Sequence, residues 1–181
     1  MGAGVVVVAI ACSALAGCGG SGESDGGTAP TTLLPDMSEV QTYEGLSNLH
    51  VAGPVQYPQT PPVGGEHAPM WQNCGFYREP VAPENAVHSM EHGAVWITYS
   101  PDLAASQVDI LRDLAADQTH VLVSPFPGLP TPVVASAWGA QLRLPSAGDR
   151  RLRTFVDRYR QSSQAPEPGA ACTGAVGTPE T

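Results

Sequence analysis

Four of the five histidines, His50, His67, His88 and His92, fall in one stretch that also carries Glu66, Met70, Cys74, Met90 and Glu91. Imidazole is a good ligand for zinc, copper, iron and nickel, and neighbouring thioethers tilt the preference toward Cu(I). The stretch therefore reads as a transition-metal site, copper first and zinc second. His50, His67, His88, His92 and Glu91 are the expected ligands, with Met70, Met90 and Glu66 as additional candidates. His88 and His92 are four apart. On a helix their rings would share a face, and on a strand they would also point to one side, so the spacing alone leaves both geometries open. Pro83 and Gly93 would bracket a short helix by the Pro-in, Gly-out asymmetry. Glu91 or Glu66 could complete the shell or accept a ring N–H behind it.

Two other chemistries fit the same residues. His88-Ser89-Met90-Glu91-His92 matches H-x-x-E-H, in which two histidines hold zinc and the glutamate activates water, so a zinc-dependent hydrolase would make Glu91 catalytic. That motif normally sits on a long helix of a far larger fold. Here Gly93 and a strand pattern follow at once, and Glu167 in the tail is a remote acidic residue. A metal-free acid/base pair of Glu91 and His92 is a variant of this reading. The alternative from another class is a non-enzymatic surface interaction module, its histidines and glutamates forming a structural network and Trp71, Trp138 or tyrosines docking a protein partner. A histidine in a Gly/Pro-rich loop often only hydrogen-bonds backbone carbonyls, but four in one stretch exceed what that requires. No Gly-x-Ser-x-Gly elbow, P-loop or dinucleotide-binding glycine pattern is present, so nucleotide, flavin and haem receive no support.

The start of the chain bears on where this chemistry happens. An apolar run ends in Leu15-Ala16-Gly17 immediately before Cys18, the pattern of a bacterial lipobox. Residues 1–17 are expected to be a cleaved signal peptide and Cys18 the lipidated N-terminus, which would hold the protein on the outer face of the cytoplasmic membrane. Met1-Gly2-Ala3-Gly4 lacks the Lys or Arg of a secretory n-region, implying a start further upstream. Val5 to Leu15 is too short to span a bilayer, which takes about 20 apolar residues. Residues 18–36, rich in Gly and Ser, read as a flexible tether, 37–163 as one domain, and 164–181 as a Pro/Gly/Ala-rich tail. Removing Cys12 with the signal and Cys18 by lipidation leaves Cys74 and Cys172, an expected disulfide that would hold the tail against the site. The competing role for Cys74 is a thiolate ligand.

Net charge is −9 and lysine is absent, which argues against a nucleic-acid partner, since phosphate binding needs clustered cations. The same charge serves solubility. Arg150, Arg151, Arg153, Arg158 and Arg160 fall on one predicted helix, a solvated face unless it touches anionic lipid heads.

The elements that must position the site follow from periodicity. Ala94 to Tyr99 reads as a strand with Val95, Ile97 and Tyr99 on one face and Trp96 on the other. Ser100 and Pro101 suit the N-cap and first position of a helix running to about Ala116. His120 to Ser124 is a short strand, Val133 to Trp138 with Gln141 to Leu144 a further one, and Leu152, Phe155, Val156 and Tyr159 mark the apolar stripe of a helix from about Asp149 to Gln161. Between His50 and Glu84, seven prolines and four glycines forbid a long helix or strand. The expected class is α+β: a small mixed β-sheet with about two helices on one face, preceded by a long Pro/Gly-rich ordered loop region. That loop must be held by aromatic packing, a disulfide or a metal. Trp96 and Trp138 are expected in the core and His120 in a structural role.

His50-Val51, Tyr57, Pro61-Pro62-Val63-Gly64-Gly65-Glu66-His67, Gly75-Phe76-Tyr77, Val87 to Val95 and Tyr99-Ser100-Pro101, taken in order, resemble a domain-of-unknown-function family of bacterial exported and membrane-tethered proteins. That family's pattern is a His, a Tyr, Pro-Pro-x-Ser-Gly-x-His, Gly-x-Tyr and Val-His-Ser-Leu-Glu-His-Gly. The resemblance covers roughly residues 40 to 160. This chain has Gly64 where the pattern has Ser and Met90 where it has Leu, which makes Met90 an unneeded ligand. The resemblance implies a domain and a site, with no established reaction.

Overall fold

The computed structural model describes residues 1–4 and 35–180. The chain divides into two units, Met1–Leu33 and Leu34–Thr181, and the fold is that of the second. Cys18, most of the expected signal peptide and most of the tether lie outside the described residues.

Among the described residues, nine elements follow in chain order: β1 (Gln41–Thr42), β2 (Gly75–Phe76), α1 (Pro83–Glu91), β3 (Val95–Tyr99), α2 (Ala105–Asp117), β4 (Val121–Pro125), β5 (Val133–Ala137), β6 (Ala140–Leu144) and α3 (Arg150–Tyr159). The six strands form one mixed sheet in the order β1-β6-β5-β3-β4-β2, parallel where β3, β4 and β2 meet and antiparallel elsewhere. Because side chains alternate across a strand, the sheet has two different faces. Val95, Ile97, Val121, Val123, Ala135 and Leu142 pack with Leu111 and Leu114 of α2 and with Leu152, Phe155, Val156 and Tyr159 of α3. Trp96 and Leu122 face the other way, against Ala86, Val87 and Met90 of α1 and against Tyr77 and Trp138. The fold is thus α+β with the two expected helices on one face, and α1 adds a third helix on the opposite face.

Three local readings are corrected. Helix α2 begins at Ala105, because Ser100 and Pro101 close a turn of their own. The Asp102 N–H donates to Ser100 Oγ at 3.3 Å and the Leu103 N–H to the Ser100 carbonyl at 2.9 Å. The segment from Val133 to Leu144 is two strands of a hairpin, since Trp138 and Gly139 turn the chain and Ala137 pairs with Ala140. Gly139 holds φ +69°, where a side chain would be disfavoured. Arg160 stands at the C-cap of α3 and so lies just beyond the helix.

The loop from His50 to Glu84 is fixed by bonds to its neighbours. The Gly139 N–H donates to the Val63 carbonyl at 2.7 Å, and Gln141 Nε2, buried beneath the loop, donates to the Pro61 carbonyl at 2.9 Å. The Val55 N–H donates to Glu84 Oε1 at 2.9 Å, tying the loop to the first turn of α1. The segment after Gln164 returns to this loop and pairs with it at residues 72–76. It is anchored by the Cys74–Cys172 disulfide, by isolated bridges pairing Gln72 with Val176 and Phe76 with Glu180, and by His120, whose Nε2 donates to the Ala170 carbonyl at 2.8 Å.

Candidate metal centre

Helix α1 has nine residues, marginal as an isolated helix, and is held by burial of Ala86, Val87 and Met90. Pro83 takes its first turn and Gly93 ends it at φ +91°. A Cβ at Gly93 would lie 2.9 Å from Cα of Gln161, so both the turn and the approach of the chain after α3 require glycine here. With the helix register set, His88, Glu91 and His92 at i, i+3 and i+4 share one face. Met90, about 200° from His88 around the axis, must face the sheet. It is fully buried there in the apolar cluster with Trp96 and Leu122. This removes it from the donors.

The other two histidines come from the loop. His50 and His67 form an isolated parallel bridge, with the Val51 N–H donating to the His67 carbonyl at 2.8 Å and the His67 N–H to the Leu49 carbonyl at 3.1 Å. This places their rings beside α1. The His50 ring stacks on His88 at 4.7 Å between centroids, and the His67 ring meets His88 edge-on at 5.0 Å. His67, His88, Glu91 and His92 are all buried, whereas the His50 side chain is 47% exposed and forms the solvent side of the group.

The hydrogen bonds define which nitrogen each ring presents. His67 Nδ1 lies 2.7 Å from the Gly65 carbonyl, His88 Nδ1 2.7 Å from the Ala68 carbonyl, and His92 Nδ1 2.6 Å from the Ala171 carbonyl. A carbonyl oxygen only accepts, so all three Nδ1 atoms carry the proton and donate it. In the neutral ring this leaves Nε2 as a lone pair. Glu91 Oε2 is 2.9 Å from His67 Nε2, 3.4 Å from His50 Nε2 and 3.9 Å from His88 Nε2. Lone pairs and a carboxylate at such distances inside a protein repel unless a cation or proton lies among them. For an ion bonded to N and O at 2.0–2.2 Å, tetrahedral ligands stand roughly 3.3–3.5 Å apart, which falls within this spacing. Burial, reinforced by the nearby His92 and His67 rings, holds the His88 pKa below its ordinary value against the opposing pull of the Ala68 carbonyl and Glu91. That favours the neutral imidazole a metal needs.

The donor atoms of His50, His67, His88 and Glu91 all lie within 4.8 Å of one another, so this group could hold a metal ion. Glu91, His92 and Glu167 form a second, overlapping group under the same limit. The five expected ligands are therefore brought together, in two clusters that share Glu91. Glu66 is outside both groups among the described residues. It is exposed, and its backbone carbonyl accepts from the Tyr57 hydroxyl at 2.8 Å. Met70 is 44% exposed, and Cys74 is in the disulfide, which removes its thiolate role.

Aromatic residues wall the group. Trp138 meets the His67 ring edge-on at 5.9 Å, and Trp71 lies 4.9 Å from His92 and 5.7 Å from His88. Trp138 is buried and Trp71 partly so, which leaves Trp138 in the core as expected and takes it away from the docking role. The Tyr77 hydroxyl donates to the Asn73 carbonyl at 2.7 Å and the Tyr99 hydroxyl to the Tyr77 carbonyl at 3.3 Å, so both phenols are committed within the fold. Sequence reasoning did not name Glu167 as a donor, nor the carbonyls that aim the rings. The one signal for Glu167 was its nearness in sequence to Cys172, whose disulfide brings the tail to this site.

Comparison with known proteins gives one match. The family model described as "Protein of unknown function (DUF3105)" covers residues 50–174, well over half of the chain and a span that begins at His50 and includes Glu167 and Cys172. No curated protein and no solved structure matches.

Proposed function

Since the chain belongs to the DUF3105 family of proteins of unknown function, its activity has to be argued from its site, and we propose that it is a transition-metal-binding protein. The ion is held by Nε2 of His50, His67 and His88 and by the Glu91 carboxylate. One observation carries this reading: buried imidazoles turn Nδ1 to backbone carbonyls, so their Nε2 atoms converge on a buried carboxylate. A set of imidazoles with one carboxylate suits zinc, and with Met90 in the core the thioether argument for Cu(I) loses its main support. Zinc therefore comes first and copper second. Glu91 touches the imidazoles and is only 3% exposed along its side chain, a ligand's position rather than that of a base working on substrate. This favours a binding or carrier role over hydrolysis.

The protein acts outside the cytoplasm in this proposal, tethered by lipid at Cys18. The Cys74–Cys172 disulfide supports an oxidising compartment. The test is elemental analysis of the protein exported by its native host, beside His67→Ala and Glu91→Gln. Zinc or copper bound to the wild type and lost from both variants supports the reading. Metal-free wild type that takes up neither ion on addition overturns it. A Cys18→Ala variant released from the membrane fraction would support the tether, and one that stays there would remove it.

A further inference from the structure

We propose a second cation position beside the first, formed by His92, Glu167 and the shared Glu91, so that the site is a carboxylate-bridged two-ion centre. The inference rests on the metal-binding reading above and extends it to the C-terminal segment.

Its first support is the pair His88 and His92. Their Nε2 atoms lie 3.0 Å apart, and both rings donate Nδ1–H to backbone carbonyls, Ala68 for one and Ala171 for the other. With each Nδ1 turned to a carbonyl, the two Nε2 atoms face each other in a buried site, with His92 only 5% exposed, an arrangement that cations beside them would satisfy.

The second support is the placement of Glu167. Its Oε2 is 3.6 Å from His92 Nε2. Its backbone is fixed to the end of α1: the Glu167 N–H donates to the Glu91 carbonyl at 3.0 Å and the Gly169 N–H to the His92 carbonyl at 3.1 Å. Further along, Ala171 orients the His92 ring and Cys172 closes the disulfide. The segment therefore carries both a ligand and the group that aims one, and it is stapled where both must stand.

The third support is Glu91, which belongs to both donor groups. A carboxylate has two oxygens and several lone-pair sites, so it can serve two ions at once. Paired ions in proteins typically stand about 3.5–4 Å apart, a separation that one carboxylate spans. The first ion takes His50, His67, His88 and Glu91, and the second takes His92, Glu167 and Glu91.

The experiment loads the full chain with zinc, removes free ion by dialysis and counts metal per protein. Two ions are expected for the wild type, and one for Glu167→Gln and for His92→Gln. The Glu167 side chain is 59% exposed, so its substitution leaves the core intact even where that of His92 does not. Loading with Co(II) adds a second readout: magnetic coupling between ions in the wild type, absent from Glu167→Gln. One ion in the wild type, or two in Glu167→Gln, overturns the second position and leaves the proposed function standing. No ion in the wild type overturns both.

Discussion

Exchanging Glu91 for glutamine tests the centre with the least change of shape. Glu91→Gln keeps volume and removes the buried charge that attracts a cation. In the metal-free protein the new amide can donate to the His67 Nε2 lone pair, now 2.9 Å from the carboxylate, so the fold should survive. A ligand that binds only the folded state stabilises it by RT ln(1 + [L]/Kd), about 2.7 kcal/mol when zinc is at 100 times its Kd. For a folded region of the size of residues 35–180, each kcal/mol moves the melting temperature by roughly 2–4 °C, so zinc should raise the wild-type midpoint by about 5–10 °C. For Glu91→Gln the rise should fall below about 2 °C at the same zinc concentration. The assay is thermal unfolding followed by circular dichroism, with the disulfide intact and chelator-treated protein as baseline. The same rise in Glu91→Gln as in wild type, or none in wild type up to millimolar zinc, would refute the reasoning.

Met90→Leu should cost less than about 1.5 kcal/mol, as a volume-conserving core exchange, and leave zinc affinity unchanged; a drop of tenfold or more in a zinc titration would return Met90 to the ligands. Asp149 caps α3, accepting from the Arg151 N–H at 2.9 Å, so Asp149→Ala should lose about 1 kcal/mol at neutral pH. The bond to Arg151 holds the Asp149 pKa below its ordinary value. A depressed folded-state pKa gives stability that is present above the unfolded pKa and lost as pH falls through the folded one. Urea midpoints of wild type and Asp149→Ala should therefore stay apart at neutral pH and converge only in acid below the ordinary carboxylate range. Opening the disulfide by the pair Cys74→Ser and Cys172→Ser frees a closed loop with a sequence separation of 98, and the chain-entropy argument gives a loss of about 4–5 kcal/mol in the denaturant-derived stability; no loss would mean that the tail is held by its other bonds alone.

Periodic segments were the legible part of this sequence. The stripe Leu152, Phe155, Val156, Tyr159 forms the buried face of α3, and the alternation in β3 places Trp96 opposite Val95 and Ile97 as its pattern implied. The start of α2 misled because Ser followed by Pro suits a helix cap and a type I turn equally well; the hydroxyl of Ser100 serves the turn. For the site, the spacing of His88, Glu91 and His92 held the answer about Met90 once helix was chosen over strand, since position i+2 cannot share their face. Chemistry alone had grouped the thioethers with the imidazoles. The approach of His50 to His67 had no local signal, because it depends on a two-residue bridge in a loop without periodicity. Glu167 was hidden for the same reason, placed by a staple and by bonds to the end of α1.

The rings of His67, His88 and His92 are aimed by main-chain oxygens at positions 65, 68 and 171. Those acceptors belong to the main chain, so ring orientation is insulated from point substitution at Ala68 and Ala171, though not at Gly65, whose φ of +115° disfavours any side chain, and it is exposed to insertions, deletions and cuts that redirect the path of the chain. Anyone transplanting this centre to another scaffold would have to carry over three stretches of backbone along with the six donor side chains. Copying the histidines alone would leave the rings free to choose the wrong nitrogen.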